Sequence, residues 1–134
     1  MKSWSGSIFP SMPKARFKGG NKMKKIEAIV RSEKLDDLRE ALDAGGFSAM
    51  TVTEVKGRGT QKGVTLEWRV GEYRVEFIPK IKVELVVDDQ KVDKAVEIML
   101  SVCSNGKVGD GKIFVSPVEE VIRIRTREKG NGAL

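Results

Sequence analysis

From Met23 onward the apolar residues keep a period of two, switch to one near 3.6, return to two, and then run through the cycle again. In "KKIEAIVR", Ile26, Ala28 and Val30 alternate with Lys25, Glu27 and Ile29, as in a strand with one buried face. "EKLDDLREALDAGG" follows as a helix. Leu35, Leu38, Ala41 and Leu42 form its apolar stripe, Ser32 is placed to cap it, and Gly45-Gly46 ends it. "MTVTEVKG" reads as a second strand and "IPKIKVELVV" as a third. "DDQKVDKAVEIMLSVC" carries a second helical stripe at Val92, Ala95, Val96, Met99 and Leu100, and "KIFVSPV" and "VIRIRT" close the chain as extended segments. Strand–helix–strand twice over, with right-handed crossovers, predicts an α+β ferredoxin-like βαββαβ sandwich, one sheet backed by two helices. The other face of such a sheet is open, and self-association is a simple way to cover it.

The totals agree with one such domain. The chain has 134 residues, 40% of them hydrophobic and 33% charged, enough for a real core under a well-solvated surface. One cysteine, Cys103, excludes an intramolecular disulfide and fits a reducing compartment, so the cytoplasm is the expected location. The absence of histidine removes the commonest general base and the commonest metal ligand. No apolar run approaches the roughly 18 residues that span a bilayer, so no membrane insertion is expected.

The net charge of +6 is concentrated at one end. Lys2, Lys14, Arg16, Lys18 and Lys22 stand in residues 1–22 with no acid, which leaves the rest of the chain near neutral. A basic groove for nucleic acid is therefore not expected in the folded part. Residues 1–22, "MKSWSGSIFPSMPKARFKGGNK", are rich in Ser, Gly, Pro and Lys and show no period, which predicts a disordered extension ahead of a domain at 23–134. The extension lacks the apolar stretch of a secretory signal. Its basic, acid-free composition suits a transit peptide, which would send the protein to a plastid. It equally suits residues upstream of a start at Met23.

Two stretches stand outside the repeated pattern. "GRGTQKGVTLEWRVGEYRVEF", residues 57–77, is long for a hairpin connection, whose usual length is about 2 to 5 residues. No apolar period holds it down, and long loops of this kind are usually functional or mobile. "GKVGDGKIFV", residues 106–115, packs three glycines and an aspartate just ahead of Lys112. Glycine admits positive φ and close approach to the main chain, and exposed amides beside a lysine suit a phosphate. The same residues also make a tight hairpin turn, and on their own they do not decide between the two.

"MTVTEVKGRGTQKG", "EYRVEFIPKIKVELVV" and "GKVGDGKIFVSPVEEVIRIRT", in this order and spacing, resemble the PII nitrogen-regulatory signal-transduction family from Met23 to Leu134. The resemblance implies a homotrimer of ferredoxin-like subunits with ATP or ADP in the clefts between them. It implies 2-oxoglutarate beside the nucleotide, bound through Mg²⁺ on the ATP phosphates. The segment at about 58–76 would be the T-loop that docks on target proteins, and that at about 104–111 the phosphate-cradling B-loop. Nucleotide contacts would come from Thr51, Gly57, Gly59, Gln61, Glu84, Gly109, Asp110, Gly111, Lys112, Arg123 and Arg125. Thr51 and Glu84 would meet the adenine and ribose, and the glycines, Asp110 and Lys112 the phosphates. Arg123 and Arg125 alternate in "IRIRT" and so would share one face of an extended segment, where guanidinium groups grip phosphate bidentately. Gln61 would ligate Mg²⁺ and touch 2-oxoglutarate, Lys62 and Gly63 would offer it amides, and Lys80 would pair its distal carboxylate. Tyr73 falls at the tyrosine that many bacterial relatives uridylylate.

The chain departs from the family pattern at several places. "WRVGEY" puts Trp68, Val70 and Gly71 where the usual stretch reads Tyr, Gly and Ala/Ser, so the serine phosphorylated in cyanobacterial relatives is missing. Thr60 stands for an arginine that reaches the phosphates, Asn105 for a B-loop threonine, and "RSEK" for Arg/Lys-Pro-Phe-Lys. The function implied is a sensor of nitrogen, carbon and energy status that regulates targets such as an ammonium channel or nitrogen-assimilation and arginine-pathway enzymes. It is not implied to be an enzyme. The alternatives are a ferredoxin-like nucleotide-binding regulator of another pathway, a weak ATPase, or an RNA-binding module of the same topology. "IKVELVV" lacks the aromatic pair that the last would stack on bases.

Overall fold

The computed structural model describes residues 22–58, 64–68, 71–75 and 77–134. The N-terminal extension up to residue 21 lies outside them. The chain runs β1 (Met23–Arg31), α1 (Leu35–Ala44), β2 (Thr51–Gly57), β3 (Val64–Trp68), β4 (Gly71–Val75), β5 (Ile78–Asp88), α2 (Val92–Cys103) and β6 (Gly111–Val118). Four strands form an antiparallel sheet in the order β2-β5-β1-β6, and β3 and β4 pair separately. Each outer crossover carries a helix, and both helices lie on one face. This is the ferredoxin-like α+β sandwich that the sequence pattern predicts.

The register explains the core. Ile26 lies opposite Leu85, Ala28 opposite Val83 and Val30 opposite Ile81, and all six are buried against the helices. Leu38 and Leu42 of α1 and Ala95, Val96 and Met99 of α2 close over them. Fully burying a leucine, isoleucine, valine or methionine side chain is worth about 1.5–3 kcal/mol. Alternate residues fall on the open face: Lys25, Glu27, Ile29 and Arg31 of β1, Lys80, Lys82, Glu84 and Val86 of β5, and Lys112 and Phe114 of β6. Phe114 is exposed there, as are Ile122 and Ile124 beyond β6. Met23, fully buried, breaks the alternation, whereas Lys24 is a cation at a core-face position in phase with Ile26, Ala28 and Val30. Lys24 is buried at the start of β1, and its ammonium pairs with Asp89 in the turn that leads to α2.

Gly45-Gly46 ends α1 as expected. Gly46 takes a left-handed φ of +92°, the Phe47 amide donates to Leu42 O at 2.8 Å, and the Gly46 amide donates to Asp43 O at 3.0 Å. Three expectations change. Ser32 does not cap α1, because it lies inside a 3-10 turn, Ser32–Lys34, that intervenes between strand and helix. The residue with extended backbone at that junction is Arg31, which has no capping side chain. Second, the 57–77 segment holds its own antiparallel pair, from Val64 opposite Val75 to Trp68 opposite Gly71. Valines, leucine, tryptophan and tyrosine supply enough strand preference for that pairing without a strict alternation. Third, "VIRIRT" is not a strand. After β6 the chain doubles back, with one bridge between Ile122 and Lys129 and a turn closed by the Arg127 amide donating to Arg123 O at 2.8 Å. Arg123 and Arg125 therefore do not share a strand face.

Among the described residues, no helix is long and apolar enough to cross a membrane.

Candidate functional site

α2 gives way at Ser104, whose extended backbone sends the chain directly into the glycine-rich loop. Asp110 organises that loop. One carboxylate oxygen accepts from the amides of Asn105 at 2.9 Å, Gly106 at 3.0 Å and Lys107 at 3.3 Å. The Asp110 amide donates back to Lys107 O at 3.3 Å, which closes the turn. The Asn105 amide above all, with those of Lys107 and Gly106 and the Arg31 guanidinium, holds the Asp110 carboxyl below its ordinary 3.8. Asp110 is thus a brace inside the loop, with its own amide turned inward.

The two glycines beside it meet backbone demands. Gly111 has φ +108°, and a Cβ there would lie 1.8 Å from Ile29 O, because the loop enters β6 hard against β1. Gly109 has φ +93°, and a Cβ there would lie 3.1 Å from the Arg31 guanidinium.

Two cations grip the outer limb of the loop. Arg31 Nη2 donates to Val108 O at 2.5 Å, and Arg31 Nε reaches Asp110 Oδ1 at 3.5 Å. The Lys80 ammonium donates to Gly109 O. Arg31 and Lys80 are direct neighbours across β1 and β5. Desolvation first, and the Arg31 charge second, lower the Lys80 pKa from its ordinary 10.5, against the pull of Glu33 and Asp110. Two crowded cations with mainly carbonyl partners make a place that favours a further anion. Sequence reasoning missed Arg31. The strand register was a signal for it, since pairing Ile26 with Leu85 brings Arg31 opposite Lys80.

The other predicted residues fall into separate groups. Gly57 ends β2 opposite Ile78, beside the Lys80 stem. Lys112 lies opposite Ile29 on the open face. Thr51 lies opposite Glu84, which accepts ion pairs from Lys25 at 3.1 Å and Lys82 at 3.4 Å. The Lys25 hydrogen bond is the main reason the Glu84 carboxyl sits below its ordinary pKa. Four residue steps along β5 separate Glu84 from Lys80, about 13 Å. Arg123 pairs with Glu128 at 3.4 Å and donates to Leu134 O at 3.0 Å, and Arg125 is exposed. Both arginines belong to the opposite end of the sheet, where Asn131 bonds Asp88 and Met23 pairs with Val118. Tyr73 stands opposite Leu66 in the β3–β4 pair. Gly59, Thr60, Gln61, Lys62 and Gly63 lie outside the described residues. Cys103 is buried, and burial pushes its thiol pKa up, which makes it a poor nucleophile.

A family model described as Nitrogen regulatory protein P-II matches residues 23–128. The "Nitrogen regulatory protein P-II" of Azospirillum brasilense is 54% identical over 112 residues, which cover 84% of this chain and all of the relative. The "Nitrogen regulatory protein P-II 1" of Escherichia coli (strain K12) is 54% identical with the same coverage. The "Nitrogen regulatory protein P-II 2" of Methanothermobacter thermautotrophicus is 51% identical, covering 84% of this chain and 97% of its own. A braced glycine loop beside two crowded cations, on a ferredoxin-like sheet, is thus found in a chain that belongs to the nitrogen regulatory protein P-II family.

Proposed function

We propose that the protein is a homotrimeric sensor that binds ATP or ADP and 2-oxoglutarate between subunits and regulates target proteins through residues 58–76. The observation that carries this reading is the loop at 104–111, folded by Asp110 with Arg31 and Lys80 on its outer carbonyls. The loop is ordered by its own contacts, so an arriving phosphate meets preformed donors.

The spread of the other residues supports a site shared between copies. In one chain, the arginines at 123 and 125 and the loop at 104–111 lie at opposite ends of β1. Eight residue steps of strand separate those ends, about 26 Å. One triphosphate cannot touch both, so both serve it only if a second copy brings its arginine end to this loop. Phe114, Ile122 and Ile124 give such an association apolar surface to bury.

Mg²⁺ fits the donor set in a limited way. Among the described residues, no cluster of three or more His, Cys, Asp or Glu could hold a metal. The ion would take its oxygens from the nucleotide phosphates and the oxoacid, with Gln61 as the protein ligand. When bound it would link the two ligands. Lys80 would supply charge to the distal carboxylate of 2-oxoglutarate, and Lys62 and Gly63 amides. Those ligands would then favour one arrangement of the 58–76 segment over another, by as much as their affinities for the two differ. An ammonium channel and nitrogen-assimilation or arginine-pathway enzymes are the target classes, Tyr73 is the candidate uridylylation site, and the cytoplasm is the place of action. The role is regulatory rather than catalytic.

Calorimetry with MgATP, with and without 2-oxoglutarate, tests the reading together with the mass in solution. Mutual tightening of the two ligands on a trimer is expected. A monomer, or two ligands that bind without influencing each other, overturns it.

A further inference from the structure

We propose that Arg31 is a positioning residue of the nucleotide site, which aims the Gly109 amide outward by holding the Val108 carbonyl. The inference rests on the nucleotide reading above.

A trans peptide holds its carbonyl and its amide on opposite sides, and the described residues contain no cis bond. Arg31 Nη2 takes the Val108 carbonyl at 2.5 Å, so the Gly109 N–H in the same peptide plane turns away from Arg31. Arg31 Nε steadies the guanidinium on Asp110 Oδ1 at 3.5 Å, the brace that folds the rest of the loop. Gly109 itself is shaped for this contact. Its φ of +93° suits glycine, and a side chain there would crowd the guanidinium at 3.1 Å. Lys80 takes the next carbonyl, that of Gly109. The Asp110 amide in that plane turns instead to Lys107 O. Of these two consecutive peptide planes, the one set by Arg31 sends its amide outward and the one set by Lys80 sends it into the turn.

Arg31 is also placed to act without disturbing the core. It ends β1 on the open face, and its stem carries no helix cap. Removing the side chain therefore changes the aim of the loop more than the stability of the sheet.

The test uses the full chain with Arg31→Met and Arg31→Lys. MgATP affinity is measured by calorimetry, and the Gly109 amide is followed by NMR in the ligand-free protein. Arg31→Met is expected to weaken MgATP about tenfold, the scale of one charge-assisted hydrogen bond. It is also expected to shift the free-state Gly109 resonance and lower its order parameter, with the thermal midpoint within a few degrees of wild type. Arg31→Lys, which can still hold one carbonyl, recovers most of both. Two results overturn the inference. One is Arg31→Met binding as tightly as wild type. The other is weakened binding while Gly109 keeps its wild-type resonance and order, which would leave only the charge of Arg31 at work. If the wild-type protein binds no MgATP, the nucleotide reading fails, and the free-state Gly109 comparison still decides whether Arg31 sets that amide.

Discussion

The two halves of the molecule repeat one plan and use its junctions differently. Each sends a strand through a 3-10 turn into a helix and returns to a strand parallel to the first, with one antiparallel strand between them. At the junction in the second half, Asp88 is extended with ψ 144°, and its carboxylate accepts from the Gln90 amide at 3.0 Å. At the matching place in the first half, Arg31 is extended with ψ 140°, and its side chain caps nothing. It crosses to the loop of the other half instead. The helix ends differ in the same way. α1 is sealed by Gly45-Gly46 with Phe47 buried behind it, whereas α2 opens into the exposed loop at 104–111. One copy of each device stabilises the fold, and the other is left over for the site proposed above.

The sharpest way to break this contrast is through the glycines. Gly111→Ala would bring a Cβ against the Ile29 carbonyl at 1.8 Å with φ +108°, and neither strand can move without losing ladder bonds. It is expected to cost about 3 kcal/mol or more and to abolish MgATP binding, as read by denaturant unfolding and calorimetry. Gly46→Ala is strained only by its φ of +92°, with no atom within 4 Å of the new Cβ. It is expected to cost about 1 kcal/mol and leave binding intact. Equal losses from the two would refute the division of labour.

Asp88→Ala examines the capping half by itself. It removes the carboxylate that accepts from Gln90 and from Asn131, so about 1 kcal/mol of stability should go. Asn131 also ties Asp88 to the segment that carries Arg123 and Arg125, so MgATP affinity should fall somewhat, but by less than in Arg31→Met. Arg31→Met should show the opposite pattern, which makes the pair a double dissociation at equivalent positions. A loss of affinity in Asp88→Ala as large as that in Arg31→Met would show that the two junctions are not separated.

What could be read from the sequence follows the same line. The core was legible because Ile26, Ala28, Val30, Val83, Leu85, Val96 and Met99 obey simple periods, and burial is what those periods report. The end of α1 was legible because two adjacent glycines have few other uses there. Ser32 was misread because a serine ahead of a helical run looks the same whether or not a 3-10 turn comes first. The extended reading of "VIRIRT" failed for a related reason. Its alternation is real, but the fold-back through Arg127, at φ 63°, and Gly130 is set by contacts with Val121 and Asp88 that no local window contains. The bracing role of Asp110 and the reach of Arg31 depend on the register of distant segments, and glycine content alone could not reveal them.

The smallest effect concerns Lys80, where the halves meet. Its pKa lies below 10.5, chiefly through desolvation and then through Arg31. A lowered pKa means the ammonium becomes neutral earlier as pH rises. If Lys80 pairs the distal carboxylate of 2-oxoglutarate, affinity in the presence of MgATP should be flat near neutral pH. It should then fall as pH rises through the lowered value, before an ordinary lysine would titrate. Arg31→Met removes the second cause but leaves the first, so the alkaline limb should move upward only part of the way toward 10.5. Carbon-13 NMR of the Lys80 side chain in the free protein gives the same order directly. A Lys80 titration at or above 10.5, or a limb that does not move in Arg31→Met, would mean that the two cations do not sense each other, and Arg31 would then act on the loop alone.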